Sequence, residues 1–573
     1  MRAQTLPNPN TLVKMLLLAF GLAFELPGIA ARVAMLGLSA PLLLYAGLYA
    51  GLIACLWGAA SIRRPLLRWG WAAVFALASV FVGSFQDATA DTMSYDAFVT
   101  MAHSADFADD AAAQYGASIA WAAASAFFLF VGIGLKPGAR RALPGVAAAL
   151  APLAGLAMLT ILLFVRGGEG GRGLPNAWVG TAYSALAAFE ATTQPSMARQ
   201  PVRIAHRPQP EQGDIILIVD ESIAGRYLDI NDTAGVRSGL ASPPPGIAVS
   251  NFGLAASIAN CSFGSNLTLR YGGTRDAYHR INATMPSIFT YAKHAGFATI
   301  YIDAQRTGGA YQNGMDDAER RQIDRFVQFG DTPVVDRDMA AADALIAALN
   351  NDRREFILVN KMGAHFPVAD KYPDSVHFFR PALPRDESAV VTETRIPKNL
   401  YSGAESWRLY RNAYRNTVTW TVGGFFDRLF AGARLGGALI VYTSDHGQNL
   451  HERGHSGKTT HCSASPASEE GAVPLAIIGA PGRWDAAAKR HFDASSHYRI
   501  FPTLLNTMGY DRAAVRREYG EALDSPASDP ATFNSLFNAR LGRKPIWVKV
   551  ERASVVRPPV DDYAPRKNGA APQ

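Results

Sequence analysis

The sequence contains few cysteines and no cluster of them. Only three occur in 573 residues, Cys55, Cys261 and Cys462, and no two have CxxC spacing. A structural zinc knuckle draws its ligands from close pairs, so we do not expect this kind of zinc site. Long basic runs are also missing, and the formal net charge is only +7. Without a basic run or a basic stripe interleaved with aromatic residues, we expect no nucleic-acid partner.

Long apolar runs are missing from the last two thirds of the chain and crowded into the first third. Each run approaches the ~20 residues that a helix needs to cross a bilayer. A cleaved signal peptide would account for the first run only. The runs therefore predict a transmembrane domain of five helices within residues 1–166, lying approximately at 12–31, 34–57, 69–86, 117–135 and 143–165.

Charges in the loops between these runs predict their orientation. Basic residues occupy the second and fourth loops, and six aspartates lie between positions 87 and 110 in the third loop. Basic loops stay in the cytoplasm, so five alternating spans place both basic loops inside and the acidic loop outside. The N-terminus is then cytoplasmic. We expect a multi-pass protein of a bacterial inner membrane whose remaining chain lies in the periplasm.

The remainder divides into a linker, a soluble domain and a tail. Residues 167–213 begin with a glycine-rich exit, and their aromatic residues suggest a helix lying on the membrane surface. From 214 to 545, short apolar strands alternate with helical segments. This alternation predicts an α/β domain with a mainly parallel sheet flanked by helices. Residues 546–573 form a C-terminal tail.

The predicted strands and helices of this domain can be read individually. Strands are expected at 214–220, 298–303, 355–363, 437–447 and 473–479. Helices are expected at 286–296 and 339–351. Ligands of such sheets bind beyond the carboxyl ends of the strands, which makes the residues at those ends candidates for function.

Acidic residues and histidines follow two of these strands. The segment VDES (219–222) follows the first, although Asp and Ser also serve as ordinary helix N-caps. The segment TSDHGQNL (443–450) follows another, and its adjacent Asp and His suit a divalent cation. These two segments would bring four candidate metal ligands to one rim of the sheet: Asp220, Glu221, Asp445 and His446. Three more histidines come soon after: His451, His455 and His461.

The order of these segments resembles the alkaline phosphatase/sulfatase superfamily. With five apolar runs ahead of it, the chain is most similar to membrane phosphoethanolamine transferases, which modify lipid A and other surface glycans. The resemblance covers most of the chain. The segments that carry it are IVDESIAGRY (218–227), IANCSFGSNLTLRYGG (258–273), NKMGAHFPVADKYP (360–373), SDHG (444–447) and SHYRIFPTLLNTMGY (496–510).

The resemblance implies a zinc ion and leaves a second one open. It gives ligand roles to Glu221, Asp445 and His446. Asp220 stands where the transferases usually have Gly, but sulfatases place a second metal-binding Asp in this motif, which makes Asp220 a further candidate. His365 matches a histidine of the transferases that contacts substrate, and His455 and His461 are further candidates for substrate binding.

The resemblance also implies a hydroxyl nucleophile in the 258–273 segment. Transferases have Cys-Gly-Thr here, whereas sulfatases have Cys or Ser followed by x-Pro-Ser-Arg. Ser262 fits the second spacing and is our predicted nucleophile and fourth zinc ligand, with Ser265 and Thr268 as alternatives. Cys261 is one residue out of register for the formylglycine of sulfatases, which argues against sulfate ester hydrolysis. Cys261 and Cys462 both flank the site and are candidates for a disulfide.

The activity implied is transfer of phosphoethanolamine from phosphatidylethanolamine, through a covalent phosphoserine-type intermediate, to lipid A or another surface glycan. Membrane lipids and a lipid or glycan acceptor are then its partners. Two alternatives have the same architecture. One is a phosphoglycerol transferase similar to lipoteichoic acid synthases, and the other is a membrane-tethered phosphodiesterase or sulfatase.

Overall fold

A computed structural model describes residues 9–89, 92–103, 108–138, 145–193, 198–209, 213–385, 403–454, 459–463 and 465–563. The chain divides into two compact units. One consists mainly of Met1–Ser196, and the other mainly of the residues from Met197 onward.

Among its described residues, the first unit contains helices joined by turns and loops, and no strand. Its helices are α1 (Pro9–Ala23), α2 (Leu26–Leu36), α3 (Ala40–Ser61), α4 (Pro65–Thr89), α5 (Tyr95–His103), α6 (Ala108–Gly134), α7 (Gly145–Val165) and α8 (Asn176–Thr193). Four of them are long and apolar enough to cross a membrane, or five spans result when α1 and α2 are counted as one. Five predicted spans therefore correspond to four single helices and one bent pair.

The first predicted span is not continuous, which corrects the expectation for 12–31. Helices α1 and α2 meet at an angle of 63°. Pro27 lies in the first turn of α2, where a proline is tolerated because its missing N–H would have no helical partner. Helix α3 begins at Ala40 rather than at 34, because Gly37 ends α2 and the Ser39 side chain accepts a hydrogen bond from the Leu42 amide.

Two basic side chains bind the C-terminal end of α6. Lys14 Nζ donates to the Ile133 carbonyl oxygen at 3.0 Å, and Arg68 Nε donates to that of Gly134 at 3.0 Å. The last carbonyl groups of a helix have no partner within the helix and carry the negative end of its dipole. These two residues, on α1 and α4, therefore satisfy α6 and join three helices of the unit.

The aromatic residues of α8 face other helices of the unit. Trp178 is fully buried, its Nε1 donates to the Leu52 carbonyl oxygen at 3.0 Å, and its ring lies 4.6 Å from that of Phe75. Tyr183 is also buried. The helix expected in the 167–213 segment exists, but Trp178 and Tyr183 pack inside the helical unit, and only Phe189 is exposed among its aromatic residues.

The second unit contains an eight-stranded, mainly parallel sheet, in the order β4-β3-β5-β1-β6-β7-β2-β8. Strand β7 runs antiparallel to both of its neighbours, and the other pairs are parallel. Strands β9 and β10 pair separately. The strands are β1 (Ile215–Asp220), β2 (Ala248–Ala256), β3 (Ala298–Asp303), β4 (Arg325–Gln328), β5 (Glu355–Asn360), β6 (Leu439–Ser444), β7 (Ala472–Gly479), β8 (Ser495–Ser496), β9 (Thr532–Asn534) and β10 (Trp547–Lys549).

Helices cover both faces of this sheet, as the apolar runs of its central strands require. They are α9 (Ser262–Tyr271), α10 (Tyr278–Thr284), α11 (Ile288–His294), α12 (Asp317–Arg320), α13 (Arg337–Leu349), α14 (Ala404–Val418), α15 (Phe425–Gly432), α16 (Asp485–Arg490), α17 (Ile500–Met508) and α18 (Arg512–Tyr519). Alternate residues of β1 enter two separate cores: Ile216 and Ile218 on one face, and Leu217 and Val219 on the other.

All five predicted strands and both predicted helices of this unit are present, and the expected α/β class is confirmed. The register of the central strands then determines where their ends meet. Asp220 pairs with Ser444 across β1 and β6, and Val219 pairs with Asn360 across β1 and β5. The residues that follow β1, β5 and β6 therefore lie at one edge of the sheet.

Candidate active site

Three side chains form a buried group at this edge. Ligand atoms of Glu221, Asp445 and His446 all lie within 4.8 Å of one another. His446 Nε2 is 3.4 Å from Glu221 Oε1 and 3.7 Å from Asp445 Oδ2. The Nδ1 atom of His446 lies 2.8 Å from the Gly447 carbonyl oxygen, which can only accept a hydrogen bond. Nδ1 is therefore the donor, and Nε2 is directed toward the carboxylates.

Ser262 completes this group as the first residue of α9. Its Oγ is 3.4 Å from both carboxylate oxygens of Glu221 and 3.2 Å from His446 Nε2. The other two candidate hydroxyls are engaged elsewhere. Ser265 Oγ donates to the Ala259 carbonyl oxygen at 3.1 Å, and Thr268 Oγ1 accepts from Asn282 Nδ2 at 2.9 Å.

Burial and neighbouring charges shift the pKa values of all three groups. Burial raises the pKa of Asp445 to about 7, and the charge of Glu221 acts in the same direction. Burial alone would lower the pKa of His446, but Asp445 and Glu221 raise it to about 9. Burial would raise the pKa of Glu221, yet hydrogen bonding and charge from His446 hold it well below the usual value. The three groups thus shift one another's pKa values, and a divalent cation beside the two carboxylates would favour their charged forms.

The chemistry of the donor set fits such a cation. Two carboxylates, one imidazole nitrogen and one hydroxyl offer four oxygen and nitrogen donors, as zinc accepts. The two carboxylates are held by further contacts: Asp445 Oδ1 accepts from the Ser222 amide at 3.0 Å, and Glu221 Oε1 accepts from the Ser222 hydroxyl at 2.8 Å. Ser222 has a φ of 62°, and no α-helix begins at this point. The VDES segment is thus part of the site and is not a helix cap.

Asp220 does not join this group, which corrects its assignment as a candidate ligand. Its Oδ2 accepts from Lys361 Nζ at 2.6 Å and from the Tyr442 hydroxyl at 3.2 Å. Its Oδ1 accepts from the Glu221 amide at 3.2 Å. Lys361 thus neutralises the Asp220 carboxylate. The same carboxylate also binds the backbone amide of Glu221.

The histidines predicted to bind substrate have different surroundings. The imidazole ring of His461 stacks on that of His446, with ring centroids 4.4 Å apart. Burial lowers the pKa of His461 to about 3, and the charge of His446 acts in the same direction. His365 is exposed, and its Nδ1 lies 2.8 Å from the Phe366 carbonyl oxygen. His455 lies outside the described residues.

A disulfide joins two segments of the site. Cys261, the N-cap residue of α9, is bonded to Cys462, and the two Cα atoms are 5.0 Å apart. The amide of Cys462 also donates to the Asn260 carbonyl oxygen at 2.9 Å. The bond therefore connects the residue before Ser262 with the residue after His461. Since Cys261 is engaged in it, this cysteine offers no free thiol for conversion to formylglycine.

A comparison with known families identifies the family of the α/β unit. A family model described as Sulfatase matches residues 215–510, more than half of the chain. The chain belongs to the sulfatase family. The match begins at β1 and ends beyond α17, so it contains every residue of the group described above.

Curated relatives of this sulfatase-family chain are phosphoethanolamine transferases. The Kdo(2)-lipid A phosphoethanolamine 7''-transferase of Escherichia coli K12 is 26% identical over 271 residues, which cover 44% of each chain. The protein of the same name from Salmonella typhimurium is 25% identical over 242 residues, which cover 39% of each chain. The chain thus spans less than half the length of these curated relatives. The predicted resemblance to this group is confirmed.

A solved membrane protein shares the fold of this sulfatase-family chain. The integral membrane lipooligosaccharide phosphoethanolamine transferase A of Neisseria meningitidis superposes with a TM-score of 0.58. The match covers 88% of this chain and 96% of that one, at 15% identity. Helical and α/β parts therefore occur together in a known structure, and the helical part of this chain contains at least four helices that are long and apolar enough to cross a membrane.

Sequence reasoning missed two residues that contact the group. Gln305 Nε2 donates to Glu221 Oε2 at 3.2 Å, and Asn266 Nδ2 donates to Asp445 Oδ2 at 3.4 Å. Gln305 comes two residues after the end of β3, at the same edge of the sheet as the ligands. Its position after a strand could have marked it as a candidate. A neutral amide, however, belongs to none of the metal-binding or acid–base motifs.

Proposed function

We propose that the chain transfers phosphoethanolamine from phosphatidylethanolamine to lipid A or another surface glycan. The reaction would take place on the periplasmic side of a bacterial inner membrane. The observation that carries this proposal is the position of Ser262, whose hydroxyl contacts Glu221 and His446 within a buried group of metal-ligand type. The curated relatives, which are named as lipid A phosphoethanolamine transferases, support the choice of group and acceptor.

Ser262 is the nucleophile of the proposed first step. Its Oγ forms a bond to phosphorus while the bond from phosphorus to the diacylglycerol oxygen breaks. Two acceptors for the serine proton lie beside this oxygen, His446 Nε2 at 3.2 Å and the Glu221 carboxylate at 3.4 Å. The proton finally resides on the diacylglycerol oxygen, and phosphoethanolamine remains on Ser262.

The second step transfers this group to the acceptor. A glycan hydroxyl or phosphate oxygen attacks the phosphorus, and the Ser262–phosphorus bond breaks. The proton lost by the attacking oxygen passes to the serine oxygen, which restores the starting enzyme. Ser262 begins α9, and the amides of the first helical turn have no partner within the helix. These amides stabilise the negative phosphoryl oxygens in both steps.

Glu221, Asp445, His446 and Ser262 would hold a zinc ion in this mechanism. When bound, zinc lowers the pKa of a coordinated hydroxyl and stabilises charge on the phosphoryl group. His365, His455 or His461 would orient the phosphoryl oxygens or carry the serine proton to the leaving oxygen. The proposal includes one zinc ion, because Asp220, the further candidate ligand, is paired with Lys361.

A phosphoglycerol transferase is the second candidate, because the same serine site and membrane helices suit any glycerophospholipid donor. A sulfatase using formylglycine is disfavoured by the Cys261–Cys462 disulfide. The decisive experiment is mass spectrometry of surface lipids and glycans from cells with and without the gene. An added phosphoethanolamine mass that disappears in a Ser262→Ala strain supports the proposal. An added phosphoglycerol mass, or no change in any surface lipid or glycan, refutes it.

A further inference from the structure

A buried lysine lies beside the candidate metal ligands. Lys361 follows β5, and Asp220 ends the neighbouring strand β1; both side chains are fully buried. Lys361 Nζ donates to Asp220 Oδ2 and to the Thr421 carbonyl oxygen, each at 2.6 Å. A buried charge is costly unless it is paired and hydrogen-bonded, and this ammonium group has both kinds of partner.

The other neighbours of the ammonium group complete its enclosure. Asp338 Oδ2 is 3.7 Å from Nζ, and the ring centroid of Phe425 is 4.5 Å away. Thr421 lies in a π-helical stretch, Thr419–Gly424, between α14 and α15. Stretches of π-helix are rare in proteins, and those that occur are often found at functional sites. Three separate segments of the chain therefore converge on one lysine.

Asp220 connects this lysine to the metal ligands through the backbone. Its Oδ1 accepts from the amide of Glu221 at 3.2 Å. Its carbonyl oxygen accepts from the amide of Asp445 at 2.9 Å. One residue thus contacts the main chain of both carboxylate ligands.

Lys361 connects the same ligands to the segment before His365. Its carbonyl oxygen accepts from Gln305 Nε2 at 2.7 Å, and that amide also donates to Glu221 Oε2. Asp338 accepts from the amides of Met362 and Gly363 at 2.7 and 3.0 Å.

Gly363 has a φ of 50°, and a Cβ atom there would lie 2.4 Å from Asp220 Oδ1. The backbone after Lys361 therefore packs directly on the carboxylate that Lys361 neutralises, with no room for a side chain between them.

We propose that Lys361 and Asp220 are positioning residues, which hold Glu221 in the orientation that binds zinc. The inference rests on the metal site of the proposed function. The sequence motif makes Asp220 a candidate ligand, whereas the geometry assigns it to Lys361. The charge of Lys361 allows a third carboxylate to lie behind two ligands without drawing a cation away from them.

The test replaces the pair by apolar residues of similar size and measures zinc alone. The full chain in detergent is stripped of metal and titrated with zinc against a chelating dye. Asp220→Leu/Lys361→Met should bind zinc about 10–100-fold more weakly, the usual effect of losing an outer-shell partner. Asp220→Asn/Lys361→Met keeps an acceptor for the Glu221 amide and should lose less. If the Leu/Met protein does not fold, the Asn/Met protein decides the test. Zinc affinity below that of the wild type then supports the inference, and wild-type affinity overturns it.

A matched control separates positioning from general loosening. Arg499 and Asp529 form another buried pair, 3.3 Å apart. Arg499→Met/Asp529→Asn should lower thermal stability and leave zinc affinity unchanged. Wild-type zinc affinity in the folded Asp220/Lys361 variants, or an equal loss in the control, would overturn the inference. The titration uses no lipid, so a wild-type protein that binds zinc but transfers nothing would refute only the proposed function.

Discussion

At the scale of single residues, the three hydroxyls of the 258–273 segment differ in their contacts. Ser262 alone among them contacts both Glu221 and His446. We predict that Ser262→Ala abolishes formation of a labelled protein when the enzyme is incubated with labelled phosphatidylethanolamine. Ser262→Thr should keep part of it, because the hydroxyl remains. Peptide mapping by mass spectrometry would identify the labelled residue.

Ser265 provides the matched control for this experiment. Its hydroxyl bonds the Ala259 backbone within the turn that precedes α9. Ser265→Ala should keep the label on Ser262 and reduce the free energy of unfolding by about 1 kcal/mol. Label on Ser265 or Thr268 in the Ser262→Ala protein would show that the nucleophile is assigned to the wrong hydroxyl.

Gln305 is a second residue whose effect can be predicted. Its amide donates to Glu221 and to the Lys361 carbonyl oxygen. Removing an outer-shell partner typically weakens metal binding about 10–100-fold, so we expect Gln305→Ala to do the same. Zinc titration of the metal-free protein measures this. Asn350→Ala, which removes an exposed hydrogen bond to Gly432, is the control and should bind zinc normally.

At the scale of structural elements, the disulfide ties helix α9 to the chain that follows β6. We predict that Cys261→Ser/Cys462→Ser folds, because the sheet core does not include either residue. Its free energy of unfolding should fall by about 2–5 kcal/mol, since a long loop in the unfolded chain is no longer closed. Transfer activity should also fall, because His461 loses its covalent tether. Chemical denaturation and lipid-transfer assays measure the two effects.

Cys55 gives the control for the disulfide prediction. It lies in α3 and is a free cysteine. Cys55→Ser should respond to a reducing agent as the wild type does, whereas the double variant should no longer respond. Unchanged activity of the double variant would mean that the site holds its geometry without the disulfide.

At the scale of the whole molecule, metal and protein stability should be coupled. A ligand that binds only the folded state stabilises it, by about 2.7 kcal/mol at a concentration of 100 times its dissociation constant. We expect a chelator to lower the thermal unfolding temperature of the wild-type protein and to abolish transfer. Glu221→Gln should start at the lower temperature and be insensitive to the chelator. A wild-type protein that keeps full activity without metal would contradict the zinc site.

The orientation of the chain is a second property of the whole molecule. The loop charges predict that the soluble part is periplasmic. Alkaline phosphatase fused after residue 200 should therefore be active, and green fluorescent protein fused at the same point should stay dark. The fusions also test the bent pair α1 and α2. If this pair entered and left the membrane on the same side, four spans would remain, and the N-terminus and residue 200 would lie on the same side of the membrane. The opposite pattern of signals would contradict the predicted topology.

The sequence by itself determined the class of the protein. Apolar length and alternation of strands and helices are local properties, so five apolar runs and five strands were readable without a structure. The same holds for Glu221, Asp445 and His446, because residues directly after parallel strands must lie at one edge of the sheet. Strands β2, β4, β8, β9 and β10 escaped prediction, since none of them has the continuous apolar run of the central strands.

Only the tertiary structure decided which of these groups act together. Asp220 and Glu221 are adjacent in sequence, yet alternation along the strand end turns one toward Lys361 and the other toward His446. Ser262, Ser265 and Thr268 are alike in composition, and only packing distinguishes a hydroxyl near two ligands from two that bond within the protein. Lys361 and Asp220 lie 141 residues apart in the sequence. Contacts of that range are set by the folded sheet, and no local pattern encodes them.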